Sequence, residues 1–395
     1  MILCEVKNVI RHHRLHTPIH ADRILHAILT FVRKNAVFCI AFLAALTTSF
    51  IVPPDEQYLS YPDYRTLACL FATLAVVGAL GHISFFSILA RRIVRIFKTL
   101  RSSVTALVCI TFVGSMLIAN DMALITFLPL GWYVLKDTGN TRYTAFVFIM
   151  QNIAANLGGM LTPFGNPQNL YLYSHFEIPT LTFMRVMLPP FLLATALIIA
   201  ICMIFTPGKR LSLEKGVEQK LPIGKTALYL VLFTAALLMV FRVLPPLFTT
   251  LAIIGVLLFF DRDALIHLDY PLLLTFLCFF IFSSNMARIA PVSDLLSSLL
   301  SKDVLLCSTL SCQVISNVPS AILLSSFTQN YASLLVGVNI GGAGTLIASL
   351  ASLITFREYQ SHEGGSVRRY LLLFSAINFG LLLILFLFAK FVLFL

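Results

Sequence analysis

Long apolar runs separated by short polar breaks recur from residue 36 to the end of the chain. Runs at about 36–53, 65–81, 183–206, 225–243, 246–260, 271–287 and 370–395 approach the roughly 20 residues that cross a bilayer as a helix. Between them, 82–101 spaces Arg91, Arg92, Arg95, Lys98 and Arg101 among isoleucine, phenylalanine and leucine, the pattern of a helix lying on a membrane surface. Residues 292–302 read as a second surface helix. Two pairs of shorter runs interrupt the rhythm. The first, 103–119 and 122–136, joins at Asn120-Asp121; the second, 303–316 and 320–328, joins at Ser316-Asn317-Val318-Pro319. Basic residues flank the first pair on both outer sides, and each run falls short of a full crossing. Each pair is therefore expected to be a re-entrant hairpin with its tip near the mid-plane; two ordinary short spans are the plainer arrangement.

The segment 143–173 breaks the pattern in another way. Its stretch NIAANLGGMLTPFGNPQNLYLY (152–173) lies among apolar runs yet carries Gly158-Gly159, Pro163, Gly165 and Pro167, with Asn156, Thr162, Asn166, Gln168 and Asn169 between them. A continuous helix would lose backbone hydrogen bonds at both prolines, so the chain is expected to unwind near 162–167. In hydrocarbon, irregular backbone persists only against protein or a water-filled cavity, and interrupted helices of this kind hold solute or ion sites in many transporters. A second glycine-marked segment, 332–356, aligns with the first without a gap. Asn156 falls on Asn339, Gly158-Gly159 on Gly341-Gly342, Thr162 on Thr345, and Asn120 on Asn317. The runs at 36, 65 and 183 find partners at 246, 271 and 370, leaving 225–243 as a connector. One extra crossing between the halves makes the repeat inverted. The expected fold is thus an all-α polytopic membrane protein: an inverted repeat with two re-entrant hairpins and two broken transmembrane helices. The expected divisions are a basic lead-in at 1–35, a first repeat at 36–206, a loop and connecting span at 207–243 and a second repeat at 244–395.

Composition agrees with that reading. Of 395 residues, 58% are hydrophobic and 11% charged, with a mean hydropathy of +0.92, more apolar surface than a soluble core of this length can hide. The net charge of +11 does not point to nucleic acid, because the basic residues fall in short clusters between apolar runs. On the expected topology 22 of the 28 lysines and arginines lie on one side, which places the N-terminus in the cytoplasm of a multi-pass plasma (inner) membrane protein and the C-terminus outside. The eight cysteines are scattered with no CxxC pair, so neither disulfides nor zinc are expected. Five histidines fall between His12 and His26, with Asp22 among them and no cysteine; the segment is read as a basic lead-in rather than a metal site. No cleavable signal peptide is visible at the basic N-terminus.

The chemistry therefore concentrates at the two tips and two breaks. Asn120, Asn156, Thr162, Gly165, Asn166, Gln168, Asn169, Ser316, Asn317, Thr345 and Ser349 would supply amides, hydroxyls, free backbone groups and helix N-termini to a small anion or oxygen-rich solute. Carbonyls freed at the breaks can hold Na⁺. Asp121 is the acid placed deepest; it reads as an ion or proton site, or as a neutral carboxyl bonded into the tip. No cofactor is expected beyond a coupling Na⁺ or H⁺. An enzyme is the contrasting class, and its only candidate cluster, Asp261, Asp263, His267 and Asp269, reads as a solvated turn. A channel is the third class, distinguishable by counterflow.

Three stretches, ANDMALITFLPL (119–130), NLGGMLTPFGNPQNLYLY (156–173) and SNVPSA (316–321), resemble those of the ion transporter superfamily. That group includes arsenite/antimonite permeases, D-type sodium–proton antiporters, citrate–metal transporters and divalent anion:sodium symporters. The resemblance covers about 36–395 and implies a homodimeric secondary transporter that moves its site by an elevator-like shift against a fixed scaffold. Asn-Asp at the first tip is similar to the arsenite-permease and antiporter branches. The symporter branch carries Ser-Asn-Thr at both tips, where this chain has Asn120-Asp121-Met122 and Ser316-Asn317-Val318.

Overall fold

The computed structural model describes residue 32 and residues 35–94, 96–211, 220–362 and 366–394. Residues 1–31, 33 and 34 of the basic lead-in, with its five histidines, Arg95 of the expected surface helix, and Lys215 in the loop after the first repeat lie outside the described residues. In chain order the helices are α1 (Ala36–Ile51), α2 (Tyr64–His82), α3 (Phe85–Val94), α4 (Leu100–Ile118), α5 (Asn120–Asp137), α6 (Thr144–Gly158), α7 (Pro167–His175), α8 (Thr180–Phe205) and α9 (Ile223–Val240). They continue as α10 (Pro246–Phe260), α11 (Arg262–Ile266), α12 (Tyr270–Arg288), α13 (Ala290–Lys302), α14 (Val304–Ile315), α15 (Asn317–Ser325), α16 (Tyr331–Ile340), α17 (Leu350–His362) and α18 (Val367–Phe388). Among the described residues no strand forms, and seven helical stretches are long and apolar enough to cross a membrane. The chain is an all-helical, multi-pass membrane protein.

Helix starts are fixed by side-chain caps at the chain's few acids. Asp63 accepts from Thr66 N, Asp261 from Ala264 N, Asp269 from Leu272 N and Asp303 from Leu306 N, each satisfying a donor the first turn leaves open. Asp261 and Asp269, half of the cluster weighed above for enzyme chemistry, are thus helix caps, and Asp261 also receives the Tyr229 hydroxyl at 3.0 Å.

Burial separates centre from periphery. Of the most apolar window in 141–161, 89% is buried, against 22% for α8 and 28% for the stretch containing α18. A helix that apolar and that bare needs lipid around it. Two bodies of helices result. One is a panel in which α1 packs on α12, while α2 packs on α9 and α10. The other gathers the two short-run pairs and two interrupted helices: α4 and α5 pack on α6, and α5 also on α17, whereas α14 and α15 pack on α16, and α15 also on α7. Each pair therefore contacts the first half of its own interrupted helix and the second half of the other.

Contacts sort the chain into two ends. At one, His82 meets Asp261, Thr99 bridges to Arg210, Arg101 donates to Thr206 O at 2.8 Å, and Trp132 stacks on His362 at 4.9 Å. At the other, Arg288 pairs with Asp55 at 2.7 Å and Lys390 with Asp303 at 2.6 Å. The guanidinium hydrogen bond holds the Asp55 carboxyl below the usual carboxylate range. Arg288 is thus one half of an exposed ion pair. Both ends of the α4–α5 pair lie at the first end and both ends of α14–α15 at the second.

Length needs a correction in one pair. The helices α4 and α5 have 19 and 18 residues, about 28 and 27 Å, because Leu100-Arg101-Ser102 before the first run, and Asn120-Asp121 and Asp137 around the second, continue the helix beyond the apolar runs. Shortness therefore does not by itself argue re-entrance for that pair. It does for α14 and α15, at 12 and 9 residues, about 18 and 14 Å.

Candidate functional site

Both pairs turn in the same way. The joints are Ala119 (φ 64°, ψ 154°) and Ser316 (φ 75°, ψ 160°), a region that suits glycine and costs other residues about 1–3 kcal/mol. The asparagine after each joint folds back over the new helix: Asn120 Oδ1 accepts from Asp121 N, and Asn317 Oδ1 from Val318 N, both at 2.9 Å. A short polar residue there satisfies an open first-turn donor that an apolar residue would leave bare.

The interrupted helices part where the glycines and prolines dictate. After α6 the chain makes a short 3-10 turn at Gly159–Leu161, runs extended at Thr162 and Asn166, and restarts at Pro167 as the first residue of α7, where a missing N–H is harmless. A Cβ at Gly165 would strike Gly159 O, and one at Gly158 would strike Phe112 O of α4. The second interruption spans 341–349, between α16 and α17. In α16, before that interruption, a Cβ at Gly337 would strike Ser308 Oγ of α14. Gly158→Ala is therefore expected to lower stability by about 1–3 kcal/mol, since a backbone carbonyl cannot rotate aside. Gly255→Ala on α10, with open space around it, should be neutral or stabilising by up to about 1 kcal/mol. Thermal unfolding of the two variants checks the contrast.

Asn156 is the hub. Its Oδ1 accepts from Asn120 Nδ2 at 3.1 Å and Ser349 Oγ at 2.7 Å, and its backbone oxygen accepts from Asn166 Nδ2 at 3.1 Å. Asn339, its partner in the sequence alignment, plays the mirrored part. Asn339 Oδ1 accepts from Asn166 Nδ2 at 3.3 Å and Gln168 Nε2 at 3.4 Å, while Asn339 Nδ2 donates to Asn169 Oδ1 at 2.6 Å. Ser349 and Asn166 occupy the same place in the two aligned segments, so Asn156–Ser349 and Asn339–Asn166 are one contact made twice. The second tip joins through Gly342, where a Cβ would stand 3.2 Å from Asn317 Nδ2 and 3.9 Å from Asn156 Cγ. Asn317 N donates to Ala348 O at 3.0 Å.

The structure thus brings Asn120, Asn156, Asn166, Gln168, Asn169, Ser349 and Asn317 into one buried network. Ser316 Oγ donates to Ala348 O at 3.3 Å beside it, and Gly165 folds against Gly159. Two predicted residues turn elsewhere. Thr162 donates to Met116 O at 2.9 Å, and Thr345 to Gln313 O at 3.0 Å; they tie each break to its adjoining hairpin. Asp121 stands next to the tip with Oδ1 buried and no hydrogen-bond partner among the described residues. Asn166 Oδ1 and Gln168 Oε1 are buried and unpartnered in the same sense. Orphaned oxygens are costly without a bound partner, so the arrangement offers oxygen ligands as well as N–H donors.

Buried amides outside the predicted set also hold the breaks and the helices around the network. Asn152 reaches Ser352 at 3.1 Å, and Gln313 Nε2 donates to Gly341 O at 2.8 Å. Gln151, fully buried, donates to Phe127 O at 3.0 Å. Asn152 sits one turn before Asn156 on the same helical face, a spacing that marks it, and Asn339 was already its twin's partner in the alignment. No local signal marks Gln313 or Gln151.

Comparison with known proteins gives a consistent answer. A family model described as citrate transporter matches residues 24–336. An uncharacterized transporter of Methanocaldococcus jannaschii is 30% identical over 347 residues, covering 86% of this chain and 93% of that protein. The inner membrane protein YbiR of Escherichia coli is 28% identical over 341 residues, 83% of this chain and 89% of that one. The silicon efflux transporter LSI3 of Oryza sativa subsp. japonica is 29% identical over 143 residues, 36% of this chain and 29% of its own length.

Proposed function

The chain belongs to the citrate transporter family and is a membrane transporter; from that premise we propose that it is a secondary active permease moving a small inorganic or organic anion by alternating access, driven by Na⁺ or H⁺. The observation that carries this reading is the convergence of both hairpin tips and both helix breaks on the Asn156–Asn339 network. The N-terminus of α7 and the helix starts at Asn120 and Asn317 lend about half a positive charge each to that centre. No lysine or arginine takes part in these contacts, so selectivity for anions would rest on dipoles and N–H donors. The mirrored joints and mirrored Asn contacts support an inverted repeat whose tips meet near mid-membrane. The name of the rice relative adds weakly acidic oxyacids to the substrates worth testing, over only a third of the chain. The inward bias of basic residues supports a plasma-membrane protein with a cytoplasmic N-terminus, and we take the working unit as a homodimer.

The test is tracer flux into proteoliposomes of the full chain. Citrate, arsenite and silicic acid are offered in turn under an imposed Na⁺ or pH gradient. Saturable uptake with counterflow is expected for at least one. Flux without saturation or counterflow would make the protein a channel. A second reading, sodium–proton antiport, is favoured by one observation, the unpartnered Asp121 Oδ1; a pH-gradient response to Na⁺ or Li⁺ with no anion flux would select it.

A further inference from the structure

Two helices of different bodies end side by side, and both end in an unusual way. At the C-terminus of α7, Ile178 N donates to Tyr173 O and Glu177 N to Ser174 O, both at 3.2 Å. At the C-terminus of α9, Val243 N donates to Leu238 O at 2.9 Å and Arg242 N to Met239 O at 3.1 Å. These paired bonds are the helix-ending motif that calls for a left-handed residue, nearly always glycine. Here the left-handed residues are Glu177 (φ 48°) and Arg242 (φ 65°). With Ala119 and Ser316 they make four of the five non-glycine residues of positive φ among the described residues. Such strain persists where the surroundings over-determine it.

The surroundings of Arg242 show what holds it. Its guanidinium donates to Tyr173 O at 2.6 Å and to Glu177 O at 3.1 Å, and lies 4.5 Å from the centre of the Tyr173 ring. It closes the last carbonyls of α7, where a cation is favoured by the helix dipole. The neighbouring Phe241 meets Phe164 edge-on at 5.7 Å, inside the break that precedes α7. Residues 241–242 of the connecting span thus hold both the C-terminal end of the nine-residue α7 and the break that precedes it. The opposite end of α7 carries Asn166, Gln168 and Asn169, the three side chains bonded to Asn339.

We propose that Arg242 is a positioning residue: a strap from the connecting span that fixes α7, and through it the Asn166–Gln168–Asn169 side of the site, in register with Asn339. The guanidinium matters here for its forked donors rather than its charge alone, since one head group reaches two carbonyls and a ring. The proposal rests on the site assigned above, but its test does not need a known substrate.

Hydrogen–deuterium exchange on the full chain in lipid nanodiscs reads the strap directly. Arg242→Gln is expected to raise exchange of 164–175 at least tenfold, with 335–342 following through Asn339, while α9 and α12 keep wild-type protection. Arg242→Lys should restore part of the protection, and Arg242→Gly, which relieves the backbone strain, should loosen 164–175 as Gln does. Arg288→Gln, at the same end but paired with Asp55, should leave 164–175 unchanged. Unaltered exchange of 164–175 in Arg242→Gln would overturn the proposal. So would a uniform rise across all helices with no rescue by lysine, which would make Arg242 a general stabiliser. If the strap reads as expected while the proteoliposomes carry no solute, the positioning role stands and the transport reading fails.

Discussion

Asn156→Ala is expected to lower flux at least a hundredfold, whichever solute the wild-type chain carries. The alanine removes the acceptor that Asn120 Nδ2 and Ser349 Oγ share. Both donors are then buried without a partner, at about 1–3 kcal/mol each. That is a loss of roughly 2–6 kcal/mol, enough to lower the unfolding temperature yet within reach of a protein that still folds. The greater effect falls on function, because the Asn156 side chain bonds the first tip, at Asn120, and the second break, at Ser349, together. Preorganisation lost by an ångström at such a point costs orders of magnitude in rate. Asn378→Ala in α18 is the control: it is also a buried asparagine, but its Nδ2 bonds only Phe374 O, one turn back in its own helix. Flux and thermal unfolding measured on both variants should separate them. If Asn156→Ala retained flux within threefold of wild type, the network would be scaffolding and the site would lie elsewhere.

Much of this arrangement is legible in the sequence because its determinants are local. Pro163 and Pro167 cannot donate in a helix, and Gly158, Gly159 and Gly165 occupy places where a Cβ would strike backbone or a neighbouring side chain. Those residue types place the unwinding near 162–167; the structure starts it earlier, at the 3-10 turn Gly159–Leu161. Asn120 and Asn317 are marked by being polar at the centre of apolar runs, and the structure gives both the same capping bond. The pairing of Asn156 with Asn339 is visible because the two segments align without a gap. What escapes is decided by tertiary contact. Gln313 stands in an ordinary apolar helix, and only the folded chain shows its amide closing the carbonyls of Gly341 and Ala343. Arg242 looks like any boundary arginine until α7 is seen to end against it. The pairing of Arg288 with Asp55 spans 233 residues, and no periodicity reports that. The length of α4 and α5 escapes for a different reason. Hydropathy marks where lipid or protein covers a helix, whereas Thr99 and Ser102 cap α4 earlier, among polar residues.

Asp121→Asn is expected to abolish the response to an imposed pH gradient and to cut gradient-driven flux at least tenfold, while leaving stability unchanged or slightly raised. The sign follows from solvation. Asp121 lies one residue beyond the first tip, with Oδ1 buried and unpartnered among the described residues, and an ionised carboxylate so placed costs several kcal/mol unless a cation or proton joins it. The amide keeps the shape and removes the charge, so it cannot destabilise the fold through lost attraction. On the proposed coupling role it also removes the group that would bind a proton or Na⁺ in one state and release it in the other. Flux driven by a gradient of the transported solute alone should survive better than flux driven by protons, and that difference separates a coupling group from a group that binds the solute. Asp121→Glu, which keeps the charge but moves it by one methylene, should retain the pH response with reduced rate. Should Asp121→Asn respond to the gradient as wild type does, the carboxyl is a structural member of the tip. Coupling would then fall to the oxygens of Asn166 and Gln168, the other buried acceptors without partners at this centre.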